Sequence, residues 1–497
     1  MRTAFTRLRP VGDFSMARRL FGRVLGVIFL AAFASLAVQV HGLFGARGIM
    51  PVAEFLSAVQ AQLGAAGYWQ IPTLSWLNAS DTSLMAQCLA GAGFSLGMIA
   101  GRLPGLCALG CWVLYLSLCS TGSPFLDFQW DALLLEAGFL AIFLLPWTPS
   151  PGWGNESRVA CIARWLLWWL LFRLMFESGV VKLASGDPTW SAGTALAHHF
   201  QTQPLPLWTA WFAHQAPQWL LKSSTWLMFA IELAVPFLIF VPGWSRRIAA
   251  GAFIFLQLGI LATGNYAFFN LLTIALALLL LDDGVWPQRW RARTEGAAAA
   301  EPVAPGSRWT SLAFAPVAVF IVLVTGARLL AICRIGMPMP ELQALVAPLR
   351  SFNGYGLFAV MTTERPEIAV EGSNDGHVWV EYPFKWKPGD VRARPGLVAP
   401  HQPRLDWQMW FAALGEVRQN PWFLNFLVRL LQGSPEVLAL LESNPFPAAP
   451  PRYVRALLYD YRYTQAGDDS GTAWWKRELE GVYCPPISLR DTQDARE

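Results

Sequence analysis

A series of long apolar runs constrains the fold of this chain more than any other feature. A run such as "FGRVLGVIFLAAFASLAVQV" (21–40) has the roughly 17–25 residues that a helix needs to cross a bilayer. Charged residues make up 14% of the 497 residues, against about 25% in soluble proteins. The sequence therefore predicts a polytopic α-helical membrane protein with about nine transmembrane helices. The predicted spans lie near residues 21–40, 84–101, 104–120, 130–147, 161–181, 224–243, 247–263, 266–281 and 311–332.

The distribution of Arg predicts the orientation of these spans, because short cytoplasmic loops are enriched in Arg and Lys. Arg residues precede the first run and recur in every second loop, whereas the opposite loops contain few. Nine spans with a cytoplasmic amino terminus give a transmembrane domain over residues 1–335. They place residues 336–497, here called the tail, on the periplasmic or lumenal side as a soluble domain. The predicted cytoplasmic residues are Arg2, Arg7, Arg9, Arg18, Arg19, Arg102, Arg158, Arg164, Arg246, Arg247, Arg289, Arg291, Arg293 and Arg308.

The tail has the patterns of a soluble domain. "PEIAVEGSNDGHVWVEYPFKW" (366–386) alternates around Asn-Asp-Gly, which predicts a β-hairpin. "DWQMWFAALGEV" (406–417) and the segment 421–444 predict amphipathic helices, and "YVRALLYDYRYT" (453–464) predicts a strand. We expect a mixed α/β, β-sandwich-like domain that packs on the outer membrane face, and a flexible cytoplasmic linker over 293–307.

Several charged and amide side chains fall at a similar depth in the outer halves of predicted spans four to eight. A charge at the centre of a membrane helix costs about 2.5–3.5 kcal/mol on insertion scales, so several at one depth persist more easily when they pair or line a wet cavity. We expect an outward-open polar cavity between these helices. The alternative is a set of ion pairs that fix helix register and hold no ligand. The candidate cavity residues are Asp131, Glu136, Arg173, Glu177, Lys182, Glu232, Gln257, Asn265 and Asn270.

Other residue types give weaker signals. His198 and His199 are adjacent and so do not share a helix face, and no Cys or carboxylate follows at ligand spacing. We therefore predict no metal site and no cofactor. The formal net charge of +4 is too small to suggest nucleic acid. Cys333 and Cys484 would pair only in an oxidising compartment, and their spacing leaves that question open.

Long segments of the chain closely resemble the lipase maturation factor family, from about residue 120 to 490. The resemblance implies a membrane protein whose eukaryotic relatives lie in the endoplasmic reticulum and help secreted homodimeric lipases to fold and assemble. It implies a chaperone rather than an enzyme, with a secreted protein such as a lipase as its client and membrane lipids as further partners. The segments include "DFQWDALLLEAGFLAIF" (127–143), "LFRLMFESGVVKLASGDPTW" (171–190), "HHFQTQPLPLWTAWFAHQAP" (198–217), "FNGYGLFAVMTTERPEIAVEGSNDG" (352–376) and "APHQPRLDWQMWFAALG" (399–415).

The chaperone hypothesis predicts an apolar patch on the tail. Trp379, Trp386, Trp407 and Trp410 are the candidates for contact with a client, although Trp in such a domain is more often part of the core. The Arg- and Ala-rich, Lys-poor composition is typical of a bacterial protein. In that case we expect the inner membrane, and in a eukaryote the endoplasmic reticulum.

A more distant resemblance favours a membrane enzyme. "SGVVKLASGDPTW" (178–190) is similar to the segment of vitamin K-dependent γ-carboxylases that carries a base lysine, and Lys182 takes that position. Such an enzyme would act on a lipid or quinone-like molecule, and it requires a pocket that reaches both Lys182 and Glu136. The alternative is that Lys182 extends to the membrane surface. A transporter would favour an inverted helix repeat, and the sequence contains no convincing one.

Overall fold

The computed structural model describes residues 13–149, 156–290, 308–336, 339–467 and 472–494. The predicted linker 293–307 lies outside the described residues. Residues 13–336, here called the helical region, contain a helix at each predicted span. In chain order these are α1 (Ser15–Ala37), α2 (Asp81–Ala100), α3 (Pro104–Thr121), α4 (Gln129–Leu144), α5 (Arg158–Ala184), α6 (Gln218–Leu233), α7 (Trp244–Leu261), α8 (Phe269–Leu278) and α9 (Arg308–Ile332).

The lengths of these helices confirm a polytopic membrane protein. Six of the described helices are long and apolar enough to cross a bilayer, namely α1, α2, α3, α5, α6 and α9. Helix α6 reaches this length only with the 3₁₀ helix Val235–Phe240 that extends it. Helices α4, α7 and α8 overlap the other three predicted spans without meeting that standard. The number nine therefore stays a prediction.

The predicted hairpin between α2 and α3 has a clear local cause. Helix α2 ends at Gly101, whose φ of +73° is a left-handed conformation that glycine adopts without strain. Pro104 then occupies the first position of α3, where a missing backbone N–H is tolerated. The two helices consequently pack side by side.

The two ends of the helical bundle have different chemistry. At the end where α1 begins, Glu156 lies 3.7 Å from Arg18 and 2.8 Å from Arg164. Arg247 of α7 pairs with Asp282, just after α8, at 2.9 Å. The starts of α1, α5 and α7 and the end of α8 therefore share one end, here called the inner end, and the predicted cytoplasmic residues Arg18, Arg164 and Arg247 lie there. The tail contacts the opposite, outer end.

One antiparallel sheet organises the tail. Its order is β2-β1-β3-β4, with β1 over Pro366–Ser373, β2 over Val380–Glu381, β3 over Tyr453–Tyr463 and β4 over Trp475–Ile487. The predicted hairpin is present, with Gly372 opposite Val380, and so is the predicted strand β3. The sequence patterns did not predict β4.

The expectation of a β-sandwich-like tail is corrected by the structure, which has helices against the sheet among the described tail residues instead of a second sheet. The amphipathic helix over 421–431 supplies that cover because Phe423, Phe426, Leu427 and Leu430 are all buried on one face. The tail helices are α10 (Pro340–Val346), α11 (Arg404–Ala413), α12 (Pro421–Leu431), α13 (Pro435–Leu438) and α14 (Leu489–Asp494).

The tail and the helical region share one hydrophobic core. A continuous set of buried residues runs from Phe14 to Cys484, and the rings of Trp130 and Trp407 meet across the junction with centroids 4.7 Å apart. Because the two regions pack directly against each other at that point, the outer end of the bundle and the tail are described together as one site. Short helices complete the outer end: Val40–Phe44, Val52–Leu63, Gly67–Gln70, Pro188–Ser191, Ala195–Thr202 and Trp208–His214.

Candidate functional site

Asp131, in the first turn of α4, binds the tail. Its carboxylate is 1% exposed and pairs with Arg404, whose Nη2 lies 2.9 Å from Asp131 Oδ1. The hydroxyl of Tyr115 donates to the same carboxylate, and Gln39 Oε1 accepts from the Arg404 backbone N–H at 2.8 Å. Because Arg404 opens α11, this fully buried pair fixes the tail to α1, α3 and α4.

Glu136, one turn deeper in α4, meets a second segment of the tail. It pairs with Arg173 of α5, and both side chains are 1% exposed. The carboxylate also accepts hydrogen bonds from the hydroxyl of Tyr355 at 2.8 Å and from the backbone N–H of Asn353 at 3.0 Å. Arg173 Nη1 donates to the Asn353 carbonyl at 2.7 Å. Residues 351–358, here called the inserted loop, therefore fill the space between α4 and α5.

Glu177 and Asn265 contact the tail in the same way. Glu177 Oε2 accepts from the backbone N–H of Tyr355 at 2.7 Å. Asn265 Oδ1 accepts from the N–H of Val398 at 2.8 Å, and its Nδ2 donates to the Gly396 carbonyl at 2.9 Å. Five of the nine candidate cavity residues thus attach the tail, namely Asp131, Glu136, Arg173, Glu177 and Asn265.

The other four candidates line a cavity of about 310 Å³ between α5, α6, α7 and α8. Lys182 Nζ lies 2.9 and 2.8 Å from the two oxygens of Glu232. Gln257 Oε1 accepts from Asn270 Nδ2 at 2.7 Å. The single outward-open polar cavity expected from the sequence is therefore divided: one part is filled by the inserted loop, and the other is a separate cavity with these two polar pairs in its wall.

A glycine allows the Lys182–Glu232 pair to form. A Cβ at Gly179 of α5 would lie 2.7 Å from the side chain of Leu233 and 3.1 Å from that of Glu232. Because glycine has no side chain, α6 approaches α5 closely enough for the carboxylate to reach the ammonium group.

The outer end of this cavity carries a chain of neutral polar groups. Tyr266 donates its hydroxyl proton to Gln203 Oε1 at 3.0 Å, and its oxygen lies 3.1 Å from His199 Nε2. Burial, with a smaller effect of nearby Lys182, lowers the pKa of His199 to about 4, so the ring is neutral at pH 7. Phe358 of the inserted loop closes the cavity on this side.

The enzyme hypothesis required a pocket that reaches Lys182 and Glu136. The cavity reaches Lys182, but Glu136 is not in its wall, because Tyr355 and Asn353 cover that carboxylate. Lys182 itself is held by both oxygens of Glu232 and donates to the Ser178 carbonyl at 3.2 Å. The arrangement therefore offers no free amine to act as a base.

A second cavity, of about 400 Å³, lies at the junction of the tail and the helical region. We call it the junction groove, and it is lined by aromatic and aliphatic side chains together with Asp127 and Gln129. Phe411 is 43% exposed and Leu414 is 45% exposed at its rim, and Val360 is 66% exposed. The groove therefore presents apolar surface at the outer end. Its other apolar lining includes Phe128, Trp130, Trp407 and Trp410.

The structure distinguishes between the four Trp residues expected to face a client. Trp407 is 3% and Trp410 6% exposed, so they belong to the wall and core of the junction and do not form an exposed patch. They are buried because α11 packs against the bundle, where the Trp410 indole donates to the Thr202 carbonyl at 2.9 Å. Trp386 is 39% exposed, and Trp379 is half-buried beneath the Arg455 guanidinium at 4.2 Å.

Sequence reasoning missed the partners on the tail side. Arg365 is fully buried and donates to the carbonyls of Gln201 at 2.7 Å and Pro204 at 2.8 Å. Arg404, Asn353 and Tyr355 were missed as well, because polar residues are ordinary in a soluble domain and stand out only inside an apolar run.

The Cys thiols and the groups that could hold a metal ion are the remaining features singled out in the sequence. Cys333 and Cys484 are both free thiols in the structure. Within the described residues, no group of three or more His, Cys, Asp or Glu side chains is arranged to hold a metal ion.

Comparison with known proteins identifies the family. A family model described as "Lipase maturation factor transmembrane domain" matches residues 16–288, and one described as "Lipase maturation factor C-terminal domain" matches residues 351–485. The chain belongs to the lipase maturation factor family. No solved structure matches this lipase maturation factor family member.

Vertebrate lipase maturation factors align with nearly the whole chain. Lipase maturation factor 2 of Gallus gallus is 36% identical, covering 95% of this chain and 82% of the relative. Lipase maturation factor 2 of Homo sapiens is 35% identical, with 96% and 83% covered. Lipase maturation factor 1 of Bos taurus is 34% identical, with 98% and 91% covered. Both the helical region and the tail of this lipase maturation factor family member are therefore shared with relatives of that name.

Proposed function

We propose that this protein is a membrane-embedded chaperone that assists the folding or assembly of exported lipases at the outer end of its helical bundle. Similarity to lipase maturation factors 1 and 2 over at least 95% of the chain supports lipases as the client class. In a bacterium the client would be met in the periplasm, beside the inner membrane. In a eukaryotic cell it would be met in the lumen of the endoplasmic reticulum.

The observation that carries the proposal is the junction groove. Incompletely folded proteins expose apolar segments, and an apolar patch bordered by polar residues is the kind of surface that binds them. Phe411, Leu414 and Val360 provide such a patch. Asp127, 40% exposed on its side chain, borders it and pairs with Arg350 at 2.8 Å.

The attachment of the tail also supports this function. Two buried ion pairs, Asp131–Arg404 and Glu136–Arg173 with the inserted loop, fix the tail on the outer end. A groove formed between two rigidly joined surfaces keeps its shape when a client binds, so less conformational entropy is lost on binding.

A secretion assay tests the proposal. Leu414→Asp places a charge at the rim of the junction groove, while Leu424→Asp places the same charge on α12, where Leu424 is similarly exposed at 41% and does not line the groove. Each variant is co-expressed with a secreted homodimeric lipase in cells that lack lipase maturation factors. The activity per mass of secreted lipase is then measured.

We expect Leu414→Asp to lower the specific activity of the lipase at least about fivefold, which corresponds to a loss of about 1 kcal/mol of apolar contact, and Leu424→Asp to behave like the wild type. Equal lipase activity with and without the wild-type protein would overturn the proposed function. Equal loss in both variants would overturn the role of the junction groove.

We also infer nine crossings, with α4, α7 and α8 as short spans. The alternating directions of the helices support this inference. The starts of α1, α5 and α7 all lie at the inner end. The Gly105 N–H at the start of α3 donates to the Pro146 carbonyl after α4 at 2.9 Å, so the start of α3 and the end of α4 lie at the same end of the bundle. A topology reporter fused after residue 497 should be active on the outer side, and cytoplasmic activity would contradict nine crossings.

A further inference from the structure

The cavity of about 310 Å³ next to Lys182 has no role in the proposed function. Its volume falls at the lower end of the roughly 300–1,000 Å³ typical of small-molecule pockets. Its walls are mostly apolar, with side chains such as Leu174, Met228 and Ile231. An apolar wall of this kind favours a hydrocarbon chain over a polar metabolite.

The position of the cavity indicates how a ligand reaches it. Leu227 of α6 and Phe255 of α7 both line the cavity, and they are 50% and 64% exposed. These are apolar side chains on neighbouring helices of a membrane bundle, so their exposed faces meet lipid. The cavity therefore opens sideways between α6 and α7 towards the hydrocarbon layer.

An unsatisfied acceptor in the wall specifies the polar part of the ligand. Asn270 is fully buried and uses its Nδ2 to donate to Gln257. Its Oδ1 has no hydrogen-bond partner among the described residues. A buried acceptor without a donor is costly, so a ligand hydroxyl that donates to Asn270 Oδ1 is favoured.

The charges in the wall exclude an anionic headgroup. Of the described residues that line the cavity, Lys182 and Glu232 carry formal charge, and they neutralise each other at 2.8 Å. A carboxylate or phosphate entering the cavity would have to compete with Glu232 for Lys182 and would leave one anion buried without a partner. The imidazole of His199 is neutral at pH 7, as described above, and adds no positive charge.

We propose that this cavity binds a neutral single-chain lipid with a hydroxyl headgroup, such as a monoacylglycerol, which enters between α6 and α7 and donates a hydrogen bond to Asn270. The lipid chain contacts the apolar walls, and the headgroup lies beside the amides of Gln257 and Asn270. The cavity and the junction groove share Tyr266, Leu357 and Phe358 in their walls, but Gln257, Gly259 and Asn270 line the cavity alone. Variants at these positions therefore test the lipid site independently of Leu414, which tests the proposed function.

Two glycines of α7 provide matched variants for a test. A Cβ at Gly259 or at Gly251 would meet no atom within 4 Å, so a side chain can start from either position without a clash at its Cβ. Gly259 lines the cavity and Gly251 does not. Gly259→Phe should therefore occupy the cavity or its opening, whereas Gly251→Phe adds the same apolar ring elsewhere on the same helix.

The experiment measures binding of tritiated 1-monooleoylglycerol to the full-length protein in detergent micelles, with methyl oleate and oleic acid as competitors at pH 7.5. We expect saturable binding near one molecule per chain. Gly259→Phe should weaken it at least about tenfold, and Gly251→Phe should leave it within about twofold. Methyl oleate, which lacks a hydroxyl donor, should compete about five- to tenfold more weakly than unlabelled monooleoylglycerol.

Further variants and competitors separate the possible results. Asn270→Leu should remove the preference for monooleoylglycerol over methyl oleate while the chain still binds. Equal binding in the two glycine variants, or binding that does not saturate, would overturn the site. Methyl oleate competing as well as monooleoylglycerol would overturn the role of the hydroxyl, and oleic acid competing best would overturn the assignment to a neutral lipid.

Discussion

Arg173 and Lys182 lie nine residues apart on α5, and each pairs with a glutamate of a neighbouring helix, but their surroundings differ. The Arg173–Glu136 pair is covered by the inserted loop, which satisfies the carboxylate with Tyr355 and Asn353. The Lys182–Glu232 pair lies in the wall of a cavity. Two similar sequence signals thus serve different purposes: one attaches the tail, and the other leaves space that a ligand can occupy.

The largest expected effect is at the covered pair. Arg173→Met leaves Glu136 buried without its cation, and losing one partner of a buried ion pair destabilises a protein by about 3–5 kcal/mol. The measurement is the free energy of unfolding in micelles by denaturant titration. The double variant Arg173→Met/Glu136→Gln should regain at least half of the loss, and no recovery would show that the pair is not the source of the effect.

Lys182→Met should have a smaller effect, of about 2 kcal/mol, in the same titration. The reason is that the adjoining cavity gives the Glu232 carboxylate room for solvent or a ligand group, whereas Glu136 is enclosed. Glu232→Gln alone should fall in the same range. If Lys182→Met proves as destabilising as Arg173→Met, the distinction between a filled and an open environment is wrong.

Tyr355→Phe tests the inserted loop with a smaller change. It removes the hydroxyl that donates to Glu136 at 2.8 Å and keeps the ring, so we expect a loss of about 1–1.5 kcal/mol. Limited proteolysis of the tail should become faster in this variant. Tyr68→Phe is the control, because Tyr68 is 53% exposed in the short outer helix Gly67–Gln70, and an equal effect there would argue against a specific role for Tyr355.

The effect that is smallest near neutral pH is a dependence on pH that belongs to the cavity side. Burial lowers the folded-state pKa of His199 to about 4 from its usual 6.5, so the unfolded chain binds a proton that the folded protein excludes. Above about pH 6.5 His199 is neutral in both the folded and the unfolded state, and the folded protein keeps its full stability. As the pH falls from about 6.5 towards 4, protonation of His199 in the unfolded chain lowers the free energy of unfolding.

The comparison of the wild type with His199→Gln isolates this contribution, because other groups titrate in the same range. The buried carboxyl of Asp406, for example, has a pKa raised by burial to about 6, which has the opposite sign. The unfolding temperature measured from pH 7 to 4 should fall less steeply in His199→Gln than in the wild type. Parallel curves would contradict a His199 that stays neutral in the folded protein.

Much of the fold followed from local patterns. Every predicted span contains a helix, because an apolar run of sufficient length with few breakers has a strong intrinsic tendency to form one. The hairpin 366–386 and the strand near 453–464 followed from alternation and from the Asn-Asp-Gly turn. Strand β4 did not, because "WKRELEGVYCPPI" is mostly exposed and contains two prolines, and its pairing with β3 supplies the ordering that its own sequence does not.

The sequence by itself determined that this is a membrane protein, which family it resembles, and that polar residues occupy one layer near one end of the bundle. The cost of burying charge in an apolar environment requires that such residues find partners, and this requirement is visible in the sequence. The tertiary structure alone decided which partners they find. Asn353, Tyr355 and Arg404 come from a part of the chain more than 170 residues beyond Arg173, and residues that far apart meet only when the tail packs against the bundle. Whether a polar group is covered or faces an open cavity depends on that packing.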